Sequence, residues 1–157
     1  MPFSTDWNWP MIQEKPINEI LPEAKILSIA THTDERGDLT CVQNGDNALP
    51  FKFERVFWIT GVPAGATRGC HAHRTCPEVI VPVHGSFSVK INNGKDPETI
   101  VHLSNPNEGL YVPPMVWCTL FDFSADAVCL CLAQYDYDES GYIQTFGEFA
   151  EAVNGTI

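Results

Sequence analysis

The sequence predicts an all-β fold, a compact antiparallel sandwich or barrel carrying one short helix at its C-terminal end. Strand-like apolar segments recur about every ten residues from Ile26 to Gln134, and Gly, Pro and Asn turns separate them. Within this strand-rich region and its tail, the stretch Phe146–Val153 reads as helix. A chain of 157 residues with 44% hydrophobic content is long enough for one domain with a real core, and short for two. The reading is therefore an extended N-terminal arm over residues 1–25 followed by a single domain over 26–157.

The arm carries Trp7 and Trp9 among Pro2, Pro10, Pro16 and Pro22, and reads as extended with at most one short helix around Ile17–Leu21. Its tryptophans need a surface, either this chain's own sheet or a neighbouring subunit. Ile26–Thr33 reads as a strand that ends in the turn Asp34–Asp38, and Leu39–Gln43 as the returning strand. Phe51–Thr60 is the clearest alternating segment: Phe51, Phe53, Arg55, Phe57 and Ile59 share one face, while Lys52, Glu54, Val56 and Trp58 share the other. Arg55 is thus one charge among apolar neighbours, either on the surface of an imperfect strand or pointing into a pocket to hold an anion. Strands follow in quick succession after Glu78, with turns at His84-Gly85 and Asn93-Gly94. Ile100–Leu103, Gly109–Val112 and Trp117–Phe121 continue the series, and the apolar run Ala127–Gln134 closes it.

A formal charge of −11 argues against nucleic acid or an anionic membrane as a bulk partner, so an anionic ligand has to meet a local cluster of arginines. No apolar run is long enough to span a bilayer, and M-P-F-S-T-D-W lacks the basic and apolar regions of a signal peptide. A cytoplasmic protein with reduced cysteines is expected. Cys129 and Cys131 read as small core residues on one strand face.

The chemistry is concentrated between Gly65 and Gly85. His71 and His73 are two apart, which puts both imidazoles on one face of a strand, and a turn can bring Glu78 beside them. Two imidazoles and a carboxylate converging on one point can bind a metal or manage protons. His32, His84 and His102 read as turn or solvent-facing residues.

The spacing of Gly65, His71-x-His73, Glu78 and Gly85 resembles the first motif of the cupin superfamily. That resemblance implies a jelly roll, a double-stranded β-helix. In metal-binding cupins the equivalents of His71, His73 and Glu78 are ligands, and the fourth, a histidine, would fall near Pro113–Cys118, where this chain has Cys118. A closer resemblance covers Ile26 to Phe149 through the blocks D-E-R-G-D-L, L-P-F-K-F-E-R-V-F-W-I, R-G-C-H-A-H, H-G-S-F-S-V, G-L-Y-V-P-P-M-V-W, D-F-S and Y-D-E-S-G-Y-I. These look like the sugar 3,4-ketoisomerase family, also called the WxcM-like C-terminal domain family. The resemblance implies an enzyme that moves a keto group between C3 and C4 of a dTDP-4-keto-6-deoxyhexose, without cofactor or metal, and a homodimer with exchanged N-terminal strands. It implies His73 as the base and His71 as the partner that orients substrate or shuttles a proton. It leaves Arg36, Arg55 and Arg68 to hold the pyrophosphate or the developing enediolate, and Trp58 or Trp117 to stack on thymine.

The chain departs from that family's pattern at several polar positions. A tyrosine pair appears as Phe57-Trp58, a glutamate as Gln43 and a histidine as Cys118, while Glu78 stands where the isomerases carry glutamine. Each of the first three removes a group that donates, accepts or carries charge. The last restores the carboxylate of a metal site, so a Zn or Fe centre built from His71, His73, Glu78 and Cys118 is one alternative. A cupin that binds a nucleotide-sugar without turning it over is another.

Overall fold

The computed structural model describes the backbone of residues 13–16 and the full residues 23–45 and 49–155. Trp7, Trp9 and the stretch Ile17–Leu21, read as at most one short helix, lie outside the described residues. The fold is the expected cupin-type jelly roll. One antiparallel sheet has the order β1 (Gln13–Pro16), β2 (Lys25–Ser28), β10 (Glu108–Val112), β7 (Glu78–His84), β12 (Val128–Ala133), β5 (Arg55–Thr60). The facing sheet runs β13 (Tyr142–Ile143), β6 (Arg68–His73), β11 (Trp117–Phe121), β8 (Phe87–Asn92), β9 (Thr99–Leu103), and β3 (Thr31–Asp34) with β4 (Gly37–Thr40) forms a separate hairpin. The segment Ile26–Thr33 is thus two strands, broken at Ile29-Ala30, and Gln13–Pro16 of the arm is a strand of the larger sheet, paired with β2. Among the described residues no helix is long and apolar enough to cross a membrane.

Alternation fills the space between the sheets. Ile80, Phe87, Val89, Ile91, Leu103, Leu110, Leu120 and Cys129 meet there as one buried cluster. Strand β7 reads as a continuous apolar run because both its faces are covered: Ile80 points inward, while Val79 and Val81 pack outward under Leu49 and Phe51. Phe51 and Phe53 serve that outer layer instead of extending β5, which begins at Arg55. Pro82 in the middle of this sheet has no N–H to offer a ladder. The pairing of β12 with β7 slips by one residue there, so that Cys129 faces Pro82 and Val128 faces His84. At the following turn Gly85 has φ +68°, and a Cβ would stand 2.8 Å from the Ala127 Cα, so only glycine fits.

The terminal helix α1 (Phe146–Asn154) starts where Thr145 accepts a hydrogen bond from the Glu148 backbone N–H at 3.2 Å, the first half of a T-x-x-E cap. Its Phe149 is fully buried against Ile143 and Ala72. Ala72 is the outward residue between the two histidines. The helix therefore covers the back of β6, leaving His71 and His73 to face inward.

Candidate active site

Strand β6 does not run as a regular ladder. Cys118 stands opposite His71, yet Thr119 stands opposite Gly69, leaving Cys70 unmatched as a β-bulge. Gly69 and Cys70 both take positive φ, 76° and 58°. A Cβ on Gly69 would come 2.9 Å from the Cys118 carbonyl oxygen, which accounts for the glycine. The extra residue also reverses parity. Arg68, three residues before His71, would face the opposite side in a regular strand; beyond the bulge it pairs with inward-facing Leu120 and lines the same cavity as His71.

The two imidazoles lie 4.9 Å apart, nearly perpendicular. Glu78, the first residue of β7, brings its Oε1 to 3.0 Å from His73 Nε2, and Arg55 Nη2 is 3.7 Å from the same oxygen. Both histidine and carboxylate are 8% exposed. The approach is close enough for an ion pair but off-axis for a hydrogen bond, so His73 Nε2, Glu78 Oε1 and Arg55 Nε are buried without hydrogen-bond partners among the described residues. Leaving such a group unsatisfied costs about 1–3 kcal/mol, so three at one point mark a place selected for something other than packing.

Tyr142 completes the group. On β13 it pairs with His73, which turns its ring inward, 4.4 Å from the His73 ring and 4.9 Å from that of His71. Its Oη accepts a hydrogen bond from Arg55 Nη1 at 3.2 Å, and the guanidinium lies over Phe57 and Tyr137. A strand of two residues shows no periodicity, so strand reading passes over Tyr142; the only signal is its place in the block Tyr137–Ile143.

A cavity of about 320 Å³ opens over this group, with His71, Glu78, Tyr142 and Arg68 on its polar side and Phe57, Ile80, Leu120 and the Cys118 and Cys131 thiols on the other. A smaller one of about 190 Å³ lies beyond Tyr142, bordered by His73, Arg55, Asp136 and Asp138. Burial, and then the neighbouring His73, push the His71 pKa down, so that imidazole is held neutral. Burial pushes the Tyr142 phenol up against the opposing pull of Arg55. The Cys118 thiol is pushed up strongly by its complete burial and then by Glu78, which keeps it protonated. The histidines and Glu78 present donor atoms that all lie within 4.8 Å of one another, and Cys118 is not part of that cluster.

The remaining candidates are placed differently. Trp58 is 66% exposed on the outer face of β5, in a groove with Thr60, Pro63 and Arg68 that adjoins the cavity mouth at Thr67 and Arg68. Trp117 does not line the cavity, because Cys118 and Leu120 take the inner face of β11; its ring packs on Phe146 and Phe149 at 5.5 and 5.8 Å. Arg36 sits at the tip of the β3–β4 hairpin, paired with Asp34, where it braces the turn. His84 is exposed beside Asp126, and His102 accepts or donates at Ser88. The six cysteines are free thiols, with Cys129 and Cys131 buried as expected.

The FdtA family (WxcM-like, C-terminal) matches residues 22–154. A TDP-4-oxo-6-deoxy-alpha-D-glucose-3,4-oxoisomerase of Aneurinibacillus thermoaerophilus is 35% identical over 131 residues, which cover 83% of this chain and 93% of the relative. A 3,4-ketoisomerase from Helicobacter canadensis superposes with a TM-score of 0.80 at 32% identity, covering 84% of this chain and 98% of its own. QdtA, a sugar 3,4-ketoisomerase from Thermoanaerobacterium thermosaccharolyticum solved in complex with TDP, gives 0.80 at 31% identity, covering 84% and 95%. With residues 22–154 matched by the family, and with its fold and 83–84% of its length in common with these relatives, the chain belongs to the FdtA, WxcM-like C-terminal family.

Proposed function

We propose that this protein is a ketoisomerase that moves the keto group of a TDP-linked 4-keto-6-deoxyhexose between C4 and C3 through an enediol. The observation that carries the reading is the convergence of His71, His73, Glu78, Arg55 and Tyr142 where two adjoining cavities meet at Tyr142, in a fold shared with relatives named for that activity. Imidazole gives and takes protons near neutrality, which moving a carbonyl between adjacent carbons demands twice. His73 is the base: the proton it takes from C3 arrives next to the Glu78 carboxylate, which offsets the new charge. His71, held neutral at the cavity wall, orients the sugar. Arg68 stands at the mouth for the diphosphate, and the groove bearing Trp58 leads outward for thymine to stack on. The reading includes a cytoplasmic homodimer in which the N-terminal strand Gln13–Pro16, at the outer edge of its sheet, is exchanged.

Incubation with TDP-4-keto-6-deoxyglucose should yield the 3-keto isomer, followed by NMR. TDP binding without turnover would instead assign the protein as a non-catalytic nucleotide-sugar binder. A second reading rests on the clustering of the three donor atoms: two histidines and one carboxylate suit Zn or Fe. Cys118 stands outside that cluster, so the described residues bring three ligands together there and not four. Elemental analysis of protein purified without chelator separates the two, since only the second requires near-stoichiometric metal.

A further inference from the structure

Isomerisation between C3 and C4 moves two protons of different kinds. One leaves C3 and one arrives at C4, which the histidine does; a second must leave the O3 hydroxyl and reach O4. The oxygen step needs a group that donates to one oxygen, accepts from its neighbour and survives briefly as an anion. Arg55 does not give up its proton. His71 would have to become an imidazolate to donate while neutral. Glu78 is turned to His73.

The Tyr142 phenol meets each requirement. It stands between the two cavities, in ring contact with both histidines. Its oxygen accepts from Arg55, so its own hydrogen remains available, and among the described residues that hydrogen meets no acceptor. The same guanidinium would stabilise the phenolate. We propose, resting on the isomerase reading above, that Tyr142 is a second catalytic residue, carrying the hydroxyl proton between O3 and O4. In the forward direction His73 takes the C3 proton, the C–H electrons form the C3=C4 bond, and the displaced carbonyl pair on O4 takes the Tyr142 proton. The phenolate then takes the O3 proton, that O–H pair becomes the C3=O3 bond, and C4 takes its proton from the imidazolium. Both residues end as they began.

The test is Tyr142→Phe, which keeps the ring contacts and removes only the hydroxyl, assayed beside the parent protein in D2O. Isomerisation should fall on the order of 10²-fold, the usual worth of a positioned acid–base group, with TDP affinity and the circular dichroism spectrum unchanged. Deuterium should still enter C3 of recovered substrate, so the ratio of exchange to isomerisation rises. A kcat within about threefold of the parent, or exchange and isomerisation falling in equal proportion, overturns the assignment for Tyr142 alone. A parent protein that does not isomerise overturns the reading on which it rests.

Discussion

The interior of the jelly roll has two ends built from the same strands and packed by opposite rules. At the closed end the described residues Phe87, Val89, Leu103 and Cys129 belong to a buried cluster of apolar side chains and thiols, and Phe87 stacks on Phe123 at 5.1 Å. At the open end, one inward step along β7 replaces Ile80 by Glu78, and β5 and β6 add Arg55, His71 and His73. The first end supplies stability and the second spends it: a native fold tolerates buried orphans only where they serve something else.

That contrast can be broken by substitution at either end. His73→Asn should lower kcat by about 10³-fold, at the middle of the range for removing an acid–base group, while leaving the urea midpoint unchanged or higher; an active variant would falsify the role of His73. Phe87→Ala should do the reverse, costing roughly 3–5 kcal/mol in urea melts while the folded fraction keeps its kcat. A catalytic loss larger than the unfolded population explains would show that the two ends are not independent. A smaller effect comes from pH. The unfolded His71 takes up a proton near its ordinary pKa of 6.5, whereas the folded site resists it, so the unfolded state binds more protons as pH falls below that value. Stability should therefore decline on acidification from pH 6.5 down to the lower folded value, and His71→Asn should flatten that part of the profile. Arg36→Ala, at an exposed hairpin tip, should leave both kcat and the melting midpoint where they were; a raised KM for the nucleotide-sugar would return Arg36 to the binding residues.

The closed end was legible in the sequence because alternation reports it directly: β7 to β12 fall where the apolar periodicity puts them, and the helix falls on Phe146–Asn154. At the open end the histidines and Glu78 were legible for the same reason, as residues of one face and the next strand. The rest depended on features without period. Phe51 and Phe53 share the alternation of β5 but belong to a covering layer, because the outer face of β7 also has to be buried. Trp117 reads as core ahead of stacking platform, and Cys118 and Leu120 occupy the inner face in its place. Tyr142 comes from a two-residue strand, and its role follows from Arg55, 87 residues away in sequence.

The bulge at Gly69-Cys70 has one more consequence. Deleting Cys70 would leave Arg68 two residues before His71, so a regular ladder would keep the guanidinium opposite Leu120 on the cavity side and Gly69 opposite Thr119, with every histidine still in place. The positive charge at the rim therefore survives loss of the bulge, and exchange of Arg68 itself is what removes it. Ligand class and proton chemistry can diverge separately on this strand.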